Sequence, residues 1–325
     1  MKGSWKLRLR LWAASFLMFV IVFALVSLAF AISGYSPGLW LYFLISIGII
    51  LLQYLIGPSL IKTTMKVEPV TPEEQPRIHA MVEEMSKKAG IPKPKVGISH
   101  INIPNAFAYG RTKRSGHIAL TAPIMNMLDE DELKAVIGHE LGHIKHNDMI
   151  ITTVISVLPM ICYYVALSFL FSRSGDDENA GIMMIIGIVG YAAYIVGQFL
   201  VLFVSRIREY YADEASVELG NKPSALVSGL YKLSYGASRA SEDTIKDAST
   251  NRAFFANDIK QGDRDVKCFE QLDFDKDGKI SDEDLEKFYR AEVVNSFTDN
   301  FTEIFSTHPD SLKRARRLAE LQFEN

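Results

Sequence analysis

His139-Glu140-Leu141-Gly142-His143, with an apolar stretch opening at Met149 soon after it, decides how the rest of the chain is read. On a helix, positions i and i+4 share a face, so both imidazoles can grip one metal ion. Glu140 sits about 100° round the helix from His139, which leaves its carboxylate to act on a water instead of the metal. That pattern points to zinc hydrolysis, and the neighbouring apolar run points to a membrane surface. The local sequence also supplies the helix that the motif needs. Asp129 can cap it, Glu132 completes a capping box, and Leu133, Val136, Ile137, Leu141 and Ile144 recur at helical spacing.

The chain has 325 residues, 48% of them hydrophobic, and the apolar ones are unevenly spread. Residues 11–32, 39–56, 149–171 and 182–204 hold no Asp, Glu, Lys or Arg. Each is long enough for a bilayer, which takes about 20 residues per helix. Lys2, Lys6, Arg8 and Arg10 precede the first stretch, Lys62 and Lys66 follow the second, and Arg206 and Arg208 follow the fourth. The loop between the third and fourth carries Asp176, Asp177 and Glu178 against Arg173. The excess of basic residues therefore puts both termini and the metal motif on the cytoplasmic side. The first stretch is too long for a signal peptide and lacks a small-residue cleavage pattern, so it is expected to stay as a membrane helix. Two cysteines, Cys162 and Cys268, give no case for a disulfide, and a net charge of −3 gives none for nucleic acid.

Between the membrane stretches, residues 77–89 read as an amphipathic helix ended by Gly90. Residues 95–100, 105–109 and 117–121 read as strands of a small sheet, with the basic turn 111–116 closing a hairpin.

A catalytic zinc takes three protein ligands, so one more is needed. His146 projects from nearly the same face as His139 but stands about 10.5 Å up the axis, out of reach of the same ion. Glu209, in Ser205-Arg-Ile-Arg-Glu-Tyr-Tyr-Ala-Asp213, is the better candidate. Along continuous helices, His143 precedes Met149 by about 9 Å and Glu209 follows Val204 by about 7.5 Å. In an antiparallel pair the two would emerge at similar depth. Asp213, one turn beyond Glu209, is placed to hydrogen-bond a ligand imidazole. The alternative is that Arg206, Arg208, Glu209 and Asp213 form a solvated ion-pair face.

Taken together, these residues resemble the HtpX-type membrane zinc metalloproteases, relatives of the CAAX prenyl endopeptidases in the gluzincin group. The resemblance also covers Pro104 with Asn105-Ala106-Phe107-Ala108, Ala253-Phe254-Phe255, and Phe305-Ser-Thr-His308-Pro309. It implies one zinc ion held by His139, His143 and Glu209, with Glu140 as general base. It further implies that His308 stabilises the oxyanion, that Arg314 helps to hold substrate or His308, and that Asn105 to Ala108 pair with an extended substrate. On the residues alone, His308 is equally a loop histidine beside a proline and Arg314 one of several basic residues on a terminal helix.

One segment departs from that family pattern. Asp273, Asp275 and Asp277 stand at positions 1, 3 and 5 of an EF-hand-like loop, Gly278 at 6, Lys279 at 7 (a backbone ligand), Ile280 at 8 and Asp284 at 12. Position 12 is normally a longer glutamate, so weak Ca²⁺ binding or a preference for Mg²⁺ is expected.

The expected architecture is a mostly α membrane protein with four transmembrane helices, a cytoplasmic α+β zincin-like metalloprotease domain and an EF-hand-like insert. Its segments are a membrane hairpin (1–62), a first protease part (63–148), a second hairpin (149–204), a second protease part (205–257), the insert (258–300) and a C-terminal protease segment (301–325). The expected function is cleavage of misfolded or damaged membrane proteins. Its rivals are prenylated C-termini as substrate, and a non-enzymatic metal-binding sensor or scaffold. Oligomeric state is not legible.

Overall fold

The structure, a computed structural model, describes residues 51–148 except 53, isolated positions between 159 and 170, and residues 180–240, 262–291 and 309–324. The chain divides into two units, Met1–Ile56 with Ile150–Ser205, and Gly57–Met149 with Arg206–Asn325.

The second unit opens with β1 (Val67–Pro69), α1 (Pro76–Ala89), β2 (Lys95–Ser99), β3 (Ala106–Tyr109) and β4 (His117–Thr121). Pro76 starts α1 at a position where its missing N–H costs nothing, and Gly90, at φ 67°, ends it. The strands form a sheet in the order β1-β2-β4-β3, with β2 and β4 parallel and the other pairs antiparallel. The expected hairpin is the β3–β4 pair, while β1 is not among the strands read from the sequence. Side chains alternate between the two faces with the period of a strand. Ile118 and Leu120 enter one core with Val96 and Ala106, whereas Ala119 faces Phe107, Tyr109 and Val67 on the other side. β3 is at the edge of this sheet.

After α2 (Ala122–Met127) comes α3 (Glu130–Lys145), the helix carrying the histidine motif. Asp129 Oδ1 accepts from Glu132 N and Glu132 Oε2 accepts from Asp129 N, both at 2.9 Å, which closes the expected capping box. All five apolar residues that mark the helical period, from Leu133 to Ile144, are buried. Then follow α4 (Ala180–Glu218), α5 (Pro223–Ser238), α6 (Gly262–Phe269), α7 (Asp282–Arg290) and α8 (Ser311–Phe323).

The helix α3 does not run on into the apolar stretch, contrary to the helical continuity on which the expected depth of His143 rests. It ends at Lys145, and Asn147 takes a left-handed φ of 58°, a conformation asparagine tolerates better than most residues. The chain turns there, so axial rise cannot be counted from His143 to Met149.

The segment holding α6 and α7 belongs to the same core as the metal helix. Phe269, Leu272, Ile280, Leu285 and Phe288 are buried in one cluster with Leu226 and Leu230 of α5, Leu318 of α8 and Leu133 of α3.

Of the four expected membrane stretches, 11–32 lies outside the described residues, and 39–56 and 149–171 lie largely outside them. Among the described residues one helix is long and apolar enough to cross a membrane; it runs over Met183–Glu218, within α4. In the first unit, Gly187, Gly190 and Gly197 of α4 lie against Leu170, Ala166 and Pro159 respectively. The opposed order of the two sets is that of antiparallel neighbours, and small residues let such helices approach closely.

Candidate active site

Close approach of α3 and α4 creates the site. A Cβ on Gly142 would lie 2.9 Å from both Ala212 Cα and Ala215 Cβ, and one on Gly138 would lie 2.9 Å from Ser216 Oγ. Glycine at these positions lets the two backbones meet, so the motif histidines face Glu209 and Asp213 across the contact.

His139 Nε2 and His143 Nε2 stand 3.2 Å apart. Glu209 Oε2 lies 3.5 Å from the first and Glu209 Oε1 lies 3.6 Å from the second. His146 is not in this group; its ring packs on Tyr211 with centroids 5.5 Å apart. The other ring nitrogens are both occupied by carboxylates. His139 Nδ1 is 2.9 Å from Asp213 Oδ1, and His143 Nδ1 is 2.6 Å from Asp148 Oδ2. An ionised carboxylate only accepts, so each Nδ1 carries a proton, and a lone pair, where a ring has one to offer a metal, is on the inward Nε2.

That donor set fits a divalent cation. Two imidazole Nε2 atoms and a carboxylate converge, the donor types that a catalytic zinc takes. Charge balance agrees. Glu140, Asp148, Glu209 and Asp213 are buried, and the guanidiniums beside them belong to Arg208 and Arg314. Among the described residues, and with all four carboxylates ionised, four carboxylates against two guanidiniums leave an excess of negative charge that suits a cation. Without the ion a proton partly answers the deficit. Burial opposes a charge on His139, yet hydrogen bonds and charge from Asp213 and Glu209 push its pKa up to about 10.

Glu140 is 4% exposed, next to the histidine pair and outside the ligand group. Burial raises its pKa, while the two imidazoles and a hydrogen bond from the Ala108 backbone pull the other way. The candidate base is thus tied to edge strand β3. Asn105, just before that strand, is buried; its N–H donates to Thr121 Oγ1 at 2.9 Å and its carbonyl accepts from Thr121 N at 2.9 Å.

Arg314 pairs with Asp213. It is 2% exposed, and its Nε and Nη2 reach the two oxygens of Asp213 at 2.9 and 2.7 Å. This bidentate pair holds the carboxylate that orients His139. His308 and the Ala253-Phe254-Phe255 stretch lie outside the described residues.

Asp148 joins the site without having been singled out by the sequence pattern, and with it Arg208, read there only as a flanking charge and a member of an ion-pair face. Asp148 is 1% exposed and lies 3.2 Å from Arg208 Nε. The available signals were an Asn-Asp pair closing a histidine-bearing helix and an arginine next to the candidate ligand Glu209.

In the EF-hand-like loop, Asp273, Asp275 and Asp277 bring one oxygen each within 4.8 Å of one another. Asp273 accepts from Asp277 N and Gly278 N at 3.1 and 3.0 Å. Asp284 is turned to the capping box of α7, where its Oδ2 accepts from Ser281 Oγ at 2.6 Å. Lys279 Nζ reaches Asp129, the N-cap of α3, at 2.6 Å.

The sequence profile of peptidase family M48 matches residues 72–322. A protease HtpX homolog of Methanothermobacter thermautotrophicus is 50% identical over 231 residues, 71% of this chain and 87% of the relative. The corresponding protein of Thermoplasma volcanium is 33% identical, over 89% of this chain and 88% of its own length. Among solved structures, Ste24p of S. mikatae is similar with a TM-score of 0.48 at 18% identity, covering 95% of this chain and 67% of that one.

Proposed function

This chain belongs to peptidase family M48 and to its HtpX-type proteases, and from that premise we propose that it is a multi-pass zinc endopeptidase that cleaves misfolded or damaged membrane proteins at the cytoplasmic face. That it is a metalloprotease follows from the family. M48 peptidases are zinc-dependent, and the convergence of His139 Nε2, His143 Nε2 and Glu209 is the observation that carries the assignment of the ligands. HtpX-type proteases are membrane proteases. The four apolar stretches, the antiparallel neighbours in the first unit and the distribution of basic residues support four spans with a cytoplasmic site. The apolar stretch that ends at Val204 continues as one helix to Glu209, which favours membrane chains as substrates.

Zinc, when bound, polarises the scissile carbonyl and acidifies water. Glu140 takes the proton of the attacking water on a carboxylate oxygen and returns it to the leaving amine nitrogen. Burial raises its pKa, which suits a group that must receive and release a proton. β3 presents a sheet edge to which an extended substrate can add by backbone hydrogen bonds, largely regardless of its side chains. His308 donates to the developing oxyanion.

The deciding experiment is Glu140→Gln in detergent-solubilised protein with casein as substrate. Retained zinc with lost proteolysis is expected; undiminished proteolysis rules Glu140 out as the base. The EF-hand-like loop we assign to Ca²⁺ or Mg²⁺ through Asp273, Asp275, Asp277, the Lys279 carbonyl and Asp284. Limited proteolysis in calcium, magnesium and chelator tests this assignment, and identical cleavage patterns end it.

A further inference from the structure

Behind each motif histidine stands a buried carboxylate that faces an arginine, by two hydrogen bonds at Asp213 and as an ion pair at Asp148. His139 Nδ1 meets Asp213, which meets Arg314; His143 Nδ1 meets Asp148, which meets Arg208. The first chain of contacts joins α3 to α4 and α8. The second joins the turn after α3 back to α4, at the residue immediately before Glu209.

We propose that Asp148 and Arg208 are positioning residues for the metal, a clamp that fixes the His143 ring and locks it in register with the Glu209 carboxylate. The proposal rests on the reading of His143 and Glu209 as ligands. Three observations carry it. Asp148 is 1% exposed, so its carboxylate has no solvent role, and it sits 2.6 Å from the nitrogen of His143 that faces away from the ligand group. Asn147 adopts the left-handed conformation that turns the chain at the end of α3, and Asp148 comes immediately after it. Arg208 and Glu209 are adjacent on α4, so a rotation of α4 that withdrew Glu209 would also pull Arg208 from Asp148. Two of the three ligands would then be lost together.

The clamp acts on affinity through orientation and tautomer. With Nδ1–H donated to Asp148, His143 can offer only Nε2 as a lone pair, and its ring plane is fixed toward Glu209. Removing such a partner typically lowers metal affinity about 10- to 100-fold.

The test measures zinc affinity of the full-length protein in detergent by competition with a chromophoric chelator, and records the visible spectrum of the cobalt-loaded form. Asp148→Asn should weaken zinc about 10- to 100-fold and shift the cobalt bands. Asp148→Glu should recover part of the affinity. Because Asp148→Asn also takes a counter-charge from the Arg208 guanidinium, the double variant Asp148→Asn/Arg208→Gln removes both charges of this pair at once. It should bind zinc no more weakly than Asp148→Asn alone, since Arg208 acts through Asp148. Wild-type affinity and an unchanged cobalt spectrum in the folded double variant would overturn the proposal while leaving the ligand assignment standing. A wild-type chain that binds no transition metal would overturn both.

Discussion

At the scale of single residues, the site is a charge deficit that either a metal ion or protons must fill. In zinc-free protein the His139 pKa is pushed up to about 10, against an ordinary value of 6.5. A raised histidine pKa adds stability that is full below the unfolded value and is lost as pH climbs through the folded one. Chelated protein should therefore melt at progressively lower temperature between pH 6.5 and about 10. Zinc-loaded protein should lose less over that window, because the ion takes over the charge that the proton supplied. Thermal melts across this range, with and without chelator, check the point; parallel curves would show that His139 holds no such proton. Arg314 gives a second prediction. Arg314→Met leaves the fully buried Asp213 without its bidentate partner, and breaking a buried pair from one side costs about 3–5 kcal/mol. Denaturant unfolding should report a loss of that order, and zinc retention should fall with it. Helical spacing made the His139–His143 and Glu209–Asp213 pairs legible in the sequence. Arg314 was legible as a charge but not by its partner, because a contact between residues 213 and 314 leaves no periodic trace.

At the scale of elements, the contact between α3 and α4 depends on the absence of a side chain. Gly142→Ala would place a methyl 2.9 Å from Ala212 Cα, which is backbone and cannot swing aside. The helices must part, and overpacking of this kind costs about 1–3 kcal/mol. Since the same contact brings Glu209 to the histidines, zinc affinity should drop together with stability; unchanged affinity in a destabilised variant would show that the ligands do not depend on this spacing. The beginning of α3 was legible, because Asp129 and Glu132 form a local pattern with a defined partner at each end. Its end was not. The stop signal is the single residue Asn147, and an apolar run two residues later gave continuity the stronger signal. The same turn hides Asp148 from the sequence, since Asp148 meets His143 only because the chain bends back.

At the scale of the whole molecule, the EF-hand-like segment was legible by its aspartate spacing as a cation loop inserted in a protease. How it packs was not legible. Leu272 and Leu285 are fully buried, and Phe269, Ile280 and Phe288 are 3% exposed or less, all in the core shared with α3, α5 and α8. Ile280 N donates to Ser228 Oγ at 3.2 Å, and Ser228 Oγ donates to Glu132 Oε1 at 2.7 Å, so the loop also reaches the capping box of the metal helix. Sequence alone misses this because two short amphipathic helices look the same whether their apolar faces close on each other or on a neighbouring domain. Leu285→Ala separates the two cases. If the segment is a separable appendage, the variant disorders it and leaves the protease domain at its wild-type stability. If the core is shared, the cavity costs about 2–5 kcal/mol and the whole domain unfolds earlier. The second outcome is expected. Phe274→Ala, at a side chain 49% exposed in the same segment, is the control and should stay within about 0.5 kcal/mol of wild type. Intrinsic fluorescence and zinc release followed through the same denaturation reveal which case holds. Coincident transitions at lower denaturant in Leu285→Ala indicate one core, whereas zinc release at the wild-type midpoint would make the segment an appendage.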